Sequence, residues 1–357
     1  MTTERGGVPR VSVVVPSYRA GAYLGELCAS LARQTWTDFE VLILSDGGDD
    51  HLHPAVQAHA HDPRFRIASW SPNRGVAQAT AHLLQQVRGT YWCYPGADDL
   101  LDPGFLAARL EAMATEPAVD VIFGAGRHID QRGAPTVYGP AQAVTDRLAA
   151  WDGRNIEPVR MLAVLLQENV VNTPSVLCRS ERTIPLILEA DVPWRYAQDY
   201  HYWLRLAAAG RIFRYDARVL HSYRIHPAQM SAAVEFDSVR RAELRLVALV
   251  ALGESAGLSP MAQAGWTAWR DELYGLWVLR ALRLWKSRQL RPEWRAAAAR
   301  AYHGTGYRPL RAWIDLIWRL PGALRLHRAE KRRAARQIYV NGLRRIDDPL
   351  FRLEPKS

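Results

Sequence analysis

Two rhythms of apolar and polar positions run through the first two thirds of the chain, one belonging to strands and one to helices. Val11-Ser12-Val13-Val14-Val15 is a nearly continuous β-branched apolar run, the pattern of a strand buried on both faces. A turn at Pro16 follows, and then Leu24, Leu27, Cys28 and Leu31 recur at spacings of three and four, which predicts a helix. Glu40 to Ser45 predicts a second strand and Arg64 to Trp70 a third. Beyond the Ser71-Pro72-Asn73-Arg74-Gly75 loop, a helix is expected to about Arg88, then a strand over Tyr91 to Tyr94. Asp102-Pro103 reads as the N-cap and first residue of a helix reaching about Glu116. Val119 to Phe123 predicts the next strand. Gly126 to Pro158, rich in Gly, Pro and charge, reads as an insertion or loop. A short strand at Ser175 to Arg179, a helix from Gln198 to Ala209 stopped by Gly210, and a strand near Arg218 to Tyr223 complete this part.

Strands alternating with helices predict an α/β domain over residues 1–235, with a mostly parallel sheet covered on both faces. From Phe236 the pattern is helical only, so residues 236–357 are expected to form a separate all-helical region. Charge sharpens that division. Residues 1–235 hold 22 Lys and Arg against 25 Asp and Glu, whereas residues 236–357 hold 24 against 11. The net charge of +10 therefore belongs to the tail. Within it, Trp266, Trp269, Leu273, Leu276, Trp277 and Leu284 fall near one helical face, and Arg311 to Arg328 combines Trp313 and Trp318 with four arginines. Two readings stay open for residues 266–328: a stripe packed on the catalytic domain, or an aromatic and basic face for an anionic membrane surface. Lys331-Arg332-Arg333 comes without a nucleic-acid-binding pattern, so no nucleic-acid partner is expected.

With 48% apolar and 23% charged residues the composition is that of a globular protein. The N-terminal segment has no apolar targeting core and no stretch is long enough to span a bilayer, so a cytoplasmic location is expected, with peripheral contact to the inner face of the membrane through the tail. Cys28, Cys93 and Cys178 show no ligand spacing and are expected as buried, inert thiols.

Candidate chemistry gathers where open α/β sheets bind ligands, at the carboxyl ends of strands. Pro16-Ser17-Tyr18, Asp46, Asp98-Asp99 and the region of Asp199 and His226 all fall there. Adjacent carboxylates after an apolar strand repel each other unless a cation or basic group lies between them, which fits Mg²⁺ or Mn²⁺. The same pair is equally compatible with a solvated turn at a helix entry, where Asp99 or Asp102 caps. His226 reads either as a ligand or as a hydrogen-bonded structural residue, and Asp199 either as a functional acid or as a favourable charge at a helix N-terminus.

Order and spacing then add a resemblance. Val11 to Tyr18, Leu31-Ala32-Arg33-Gln34-Thr35, Ser45-Asp46-Gly47, Asn73-Arg74-Gly75, Ala97-Asp98-Asp99, Gln198-Asp199-Tyr200 and Tyr223-Arg224-Ile225-His226-Pro227 resemble, in register, the family 2 glycosyltransferases with the GT-A fold. The resemblance covers Val11 to Ser231 and implies a Rossmann-like catalytic domain with acceptor-side elements in about 160–231. It implies that Pro16, Ser17, Tyr18, Asp46, Arg74 and Asp98 bind a nucleotide-sugar, with Tyr18 and Asp46 at the nucleobase. It also implies that Asp98, Asp99 and His226 hold a divalent Mn²⁺ or Mg²⁺, and that Asp199 is the general base of an inverting transfer. The implied donor is a UDP-sugar, and the implied acceptor is a hydroxyl of a surface glycan or lipid-linked glycan. The chain departs from the family where Gly96, Ser45 and Gln198 stand at positions that often carry acids. Two other readings are a catalytically inactive carbohydrate-binding or scaffold protein, and a sugar-phosphate nucleotidyltransferase, for which Pro16-Ser17-Tyr18-Arg19 is a poor phosphate loop.

Overall fold

The computed structural model describes residues 7–137, 144–146, 148–167, 169–189 and 197–230. The expected helical tail, its 266–328 faces and Ser231, the last residue of the resemblance, lie outside the described residues.

The chain opens with β1 (Val11–Ser17), α1 (Ala22–Ala32), β2 (Phe39–Asp46), the one-turn α2 (Pro54–Gln57), β3 (Phe65–Trp70), α3 (Val76–Leu84) and β4 (Tyr91–Cys93). It continues through β5 (Leu100–Leu101), α4 (Phe105–Thr115), β6 (Val121–Gly124), β7 (Arg127–Asp130), β8 (Pro135–Thr136), β9 (Asn155–Ile156) and α5 (Pro158–Gln167). The last elements are β10 (Leu177–Arg179), α6 (Ser180–Leu188), α7 (Gln198–Ala208), β11 (Phe213–Asp216) and β12 (His221–Ile225).

An eight-stranded sheet in the order β3-β2-β1-β4-β10-β6-β11-β9 forms the centre. β1 pairs in parallel with both β2 and β4, and β2 with β3. The chain thus winds outward from β1 to β3 and then returns to β1's other side, and that reversal opens a crevice at the carboxyl ends of β1 and β4. β10 and β9 run antiparallel to their neighbours, so the sheet is mixed but mostly parallel. Its core is the apolar face of α1 and the stripe of α4 (Phe105, Leu106, Met113) packed with Val11, Val13, Val15, Val41 and Ile43. Each such fully buried side chain contributes about 1.5–3 kcal/mol.

A second sheet, β5-β12-β7-β8, is built from very short strands. All four depart from the sequence reading, β5 having no predicted counterpart. Gly126 to Pro158, expected as loop, supplies β7, β8 and β9, and the last strand begins at His221 rather than Arg218. Two-residue strands carry no periodic signal; β5 and β9 exist because β12 and β11 arrive from far along the chain to pair with them, and β8 because the chain turns back on β7. β11, α5 and α6 were likewise not predicted. Asp102 also differs from expectation. Gly104 is the N-cap of α4, and no side chain caps it. The Asp102 carboxylate instead pairs with Arg127 of β7, and its N–H donates to the Leu220 carbonyl at 2.9 Å. Pairing across the second sheet thus draws Asp102 away from the helix end.

Contacts divide the chain into two compact units, the first of Met1–Glu157, Asn169–Arg195 and Arg211–Ala232 and the second including Pro158–Glu168 and Tyr196–Gly210. Both sheets belong to the first. In the second, α5 packs on α7, and Tyr200 Oη donates to the Leu165 carbonyl at 2.5 Å. All three cysteines are free and buried, and burial raises each thiol, that of Cys28 to about 12, which makes them poor nucleophiles. No described helix is long and apolar enough to cross a membrane.

Candidate active site

Three segments reach the carboxyl edge of the main sheet from neighbouring parallel strands. Register pairs Ser17 with Ser45 and Asp46 with Trp70, so the residues that follow β1, β2 and β3 emerge side by side. Pro16 and Ser17 end β1, with Ser17 buried, and Tyr18 stands 48% exposed at the rim.

Asp46 is buried, and its carboxylate is engaged by the next loop. Oδ1 accepts the Arg74 N–H at 2.8 Å, while Oδ2 accepts the Gly75 N–H at 2.8 Å and Asn73 Nδ2 at 3.0 Å. Gly47, at φ 75°, lets β2 pass so close to Asn73 that a Cβ would lie 2.2 Å from its nitrogen. Asp46 therefore shapes the loop that carries Arg74. The Arg74 guanidinium in turn lies over the Trp70 ring at 4.4 Å from its centroid, and the other ring neighbour of Trp70 here is His82 at 4.9 Å.

β4 delivers the chain to the turn Gly96 to Asp99, closed by the Asp99 N–H donating to the Gly96 carbonyl at 3.1 Å. That turn runs into β5, where Leu101 pairs with His221 and Leu100 with Ser222 of antiparallel β12. Continuing the register sets Arg224 opposite Asp98 and carries His226 beyond it. His226 Nε2 lies 3.0 Å from Asp98 Oδ2. Asp99 is buried, and its Oδ1 accepts the Arg224 N–H at 2.9 Å. Burial, reinforced by the charge of Asp98, pushes the Asp99 carboxyl well above the usual carboxylate range.

Gly96 explains how two carboxylates share this turn. A Cβ there would lie 2.6 Å from Asp99 Oδ2 and 2.8 Å from Asp98 Oδ1, so one oxygen of each carboxylate converges on the space a side chain would take. A side chain at position 96 would have to displace these two carboxylates from their present arrangement. Among the described residues no three His, Cys, Asp or Glu side chains are already grouped as a metal cage. The oxygens over Gly96 and the imidazole nitrogen beside Asp98 nevertheless fit an Mg²⁺- or Mn²⁺-type ion. Such ions are commonly held by one or two carboxylates, with substrate phosphates completing the shell.

A further network, not anticipated from sequence, braces the turn. Arg224 is buried, its Nε donates to the Asp98 carbonyl at 2.8 Å, and its Nη2 donates to Glu26 Oε2 at 2.5 Å. The guanidinium also lies 4.6 Å from the Tyr23 ring centroid, and the same ring lies 4.9 Å from the His226 ring. With its donors turned to Asp98, Glu26 and the Asp130 and Gln131 carbonyls, Arg224 is a brace and not a phosphate ligand. Its place two residues before His226 was the only sequence signal for it.

The N-terminus of α1, the usual anion seat after the first strand of such sheets, already holds a protein carboxylate. Asp50 Oδ1 accepts the Gly21 N–H at 2.8 Å. A diphosphate in this crevice would therefore meet the acidic turn, where a cation must offset the charge.

Asp199 lies in the first turn of α7, in the second unit, and its Oδ1 accepts the Tyr200 N–H at 2.7 Å.

The glycosyl transferase family 2 profile matches residues 12–152. A hyaluronan synthase of Pasteurella multocida is 28% identical over 133 residues, 37% of this chain but only 14% of that protein. An uncharacterized glycosyltransferase of Haemophilus influenzae is 24% identical over 231 residues, covering 64% of this chain and 69% of its own length. Among solved structures, S. aureus TarS 1–349 in complex with UDP-GlcNAc aligns at a TM-score of 0.57 and 16% identity, over 82% of this chain and 79% of that one. The mannosyltransferase PcManGT from Pyrobaculum calidifontis, in complex with GDP-Man and Mn²⁺, aligns at 0.51 and 17% identity over 88% of each chain. These structural likenesses are likenesses of fold. The profile match thus identifies residues 12–152 as a glycosyl transferase family 2 domain, and the structural likenesses with the mixed α/β sheet give its fold as GT-A.

Proposed function

We propose that this protein transfers a sugar from a nucleoside-diphosphate donor to an acceptor hydroxyl, with inversion at the anomeric carbon. The observation that carries the reading is the convergence of Asp98, Asp99 and His226 at the carboxyl edge of the sheet, beside Tyr18 and the Arg74 loop. Tyr18 and Asp46 bound the nucleobase position, Arg74 reaches over it from the Trp70 platform, and Asp98 faces the ribose and diphosphate. A divalent ion held by Asp98, Asp99 and His226 would offset the charge that builds on the departing diphosphate.

In the transfer, the acceptor oxygen forms a bond to the anomeric carbon as the bond from that carbon to the diphosphate oxygen breaks. The acceptor proton passes to the Asp199 carboxylate, and the nucleoside diphosphate leaves. One base and one displacement turn an α-linked donor into a β-linked product. The donor is read as a UDP-sugar, because a solved relative in fold carries UDP-GlcNAc, and the acceptor as a glycan or lipid-linked glycan, because related synthases build glycans. Asp50 at the head of α1 speaks against the nucleotidyltransferase alternative, which needs a phosphate seat there. A cytoplasmic enzyme meeting anionic lipid through residues 266–328 would reach such an acceptor at the membrane face.

A donor panel tests the reading. Thermal stabilisation and donor hydrolysis are measured with nucleotide-sugars in Mn²⁺ and in EDTA. UDP-sugars should stabilise the protein in Mn²⁺ and be hydrolysed slowly. Stabilisation by GDP-sugars alone would move the donor class, and no response to any nucleotide-sugar would overturn the proposal.

A further inference from the structure

One carboxylate holds both ends of the turn that presents Tyr18. Ser17 Oγ donates to Asp50 Oδ2 at 2.6 Å, and the Gly21 N–H donates to Asp50 Oδ1 at 2.8 Å. Asp50 itself is buried, at 4% exposure, although it belongs to the segment after β2. Between its two anchor points the backbone is under constraint. Arg19 has φ 57°, a left-handed conformation that costs a side-chain-bearing residue free energy and persists only where neighbours hold it. Gly48 passes so close that a Cβ on it would lie 3.3 Å from the Arg19 nitrogen. The Arg19 guanidinium lies 5.0 Å from the Tyr18 ring centroid, and that ring is 48% exposed at the rim of the crevice.

An exposed tyrosine on a free turn would sample several directions, and fixing it on binding would cost conformational entropy. Here the turn is fixed beforehand by a buried carboxylate whose two oxygens are each already hydrogen-bonded within the protein. We infer that Asp50 is a positioning residue for nucleobase recognition, acting through Ser17 and Gly21 to hold the Tyr18 ring in its binding direction. The inference rests on the reading that Tyr18 meets the nucleobase. Asp50 also places negative charge at the N-terminus of α1, whose first turn has no acid of its own. A residue with that structural duty alone would alter the melting temperature and leave affinity per folded molecule unchanged.

The test uses uridine, which has no phosphate and so reports on the nucleobase site without a metal. Its affinity is measured by ligand-observed NMR titration of the full-length protein, beside the melting temperature. Asp50→Ala should weaken uridine binding roughly 10-fold, as expected when a contact is displaced by an ångström or so. Asp50→Asn, which keeps an acceptor for the Gly21 N–H and a partner for the Ser17 hydroxyl, should recover most of it. Ser17→Ala, the milder change, should fall between them if Asp50→Ala does not fold. In the Tyr18→Ala background, Asp50→Ala should add little, because its effect runs through Tyr18. Full uridine affinity in well-folded Asp50→Ala, or in Ser17→Ala if only that variant folds, would overturn the inference while leaving the Tyr18 reading intact. Wild-type affinity in Tyr18→Ala, or no uridine binding by the parent protein, would overturn both.

Discussion

The imidazole Nε2 of His226 lies 3.0 Å from Oδ2 of Asp98, a residue 128 positions earlier in the chain. Antiparallel pairing of β12 with β5 makes that approach, and Arg224 locks it through the Asp98 carbonyl and the Asp99 carboxylate.

If the pair forms half of a cation site, nucleotide binding must depend on the ion. UDP affinity measured by calorimetry should be much higher in Mn²⁺ than in EDTA. His226→Ala should weaken metal-supported binding by roughly 10- to 100-fold, the range for losing a supporting ligand. Equal affinity in the two buffers would remove the metal assignment.

Asp199→Asn preserves size and much of the hydrogen bonding but cannot accept the acceptor's proton. Donor binding should persist while transfer falls by roughly 10²- to 10⁴-fold. Near-normal transfer by a folded Asp199→Asn protein would leave Asp199 as a favourable charge at the head of α7 and dismiss the single-displacement scheme.

Glu26 tests the brace from outside the site. Its side chain is half-exposed on α1, yet it ends the guanidinium chain that starts at Asp98. Glu26→Gln should lower Mn²⁺-supported UDP affinity several-fold while the protein stays folded, since the glutamine amide oxygen can still accept from the buried Arg224 guanidinium. Uridine affinity should not move. A variant that loses stability but keeps its metal-supported affinity would reduce the pair to a surface contact.

His221 predicts a pH dependence of stability. It is fully buried and neither ring nitrogen has a hydrogen-bond partner among the described residues; burial, with the charges of Arg109, His128 and Arg127, lowers its pKa from 6.5 to about 3. The folded state therefore resists taking up a proton that the unfolded chain accepts. Its contribution is fully present above pH 6.5 and is lost as pH falls from 6.5 towards about 3, at up to about 1.4 kcal/mol per pH unit. Denaturant melts across that window should show the slope, and His221→Leu should flatten it. An unchanged slope in the variant would assign acid sensitivity elsewhere.

The long elements and the chemistry at their ends were legible in the chain itself. The β-branched run of β1, the three-and-four spacing in α1 and the apolar run of β2 are each long enough for period alone to set the element and its buried face. Because parallel strands end on one edge, the sequence also determined that Tyr18, Asp46 and Asp98 would share it. What it could not determine was which polar group touches which. Asp46 and Asp50 are four residues apart and alike in kind, yet one shapes the Arg74 loop and the other the Tyr18 turn. Asp102 looked like a helix cap until pairing across the second sheet drew it to Arg127. β5, β8 and β9 are two residues each, too short for a period; β5 and β9 form only because the distant strands β12 and β11 complete their hydrogen bonds, and β8 only because the chain turns back on β7. Local pattern fixes elements whose free energy is mostly apolar burial along their own length. Contacts made by single polar groups depend on the other partner's position, and only the tertiary structure decides that.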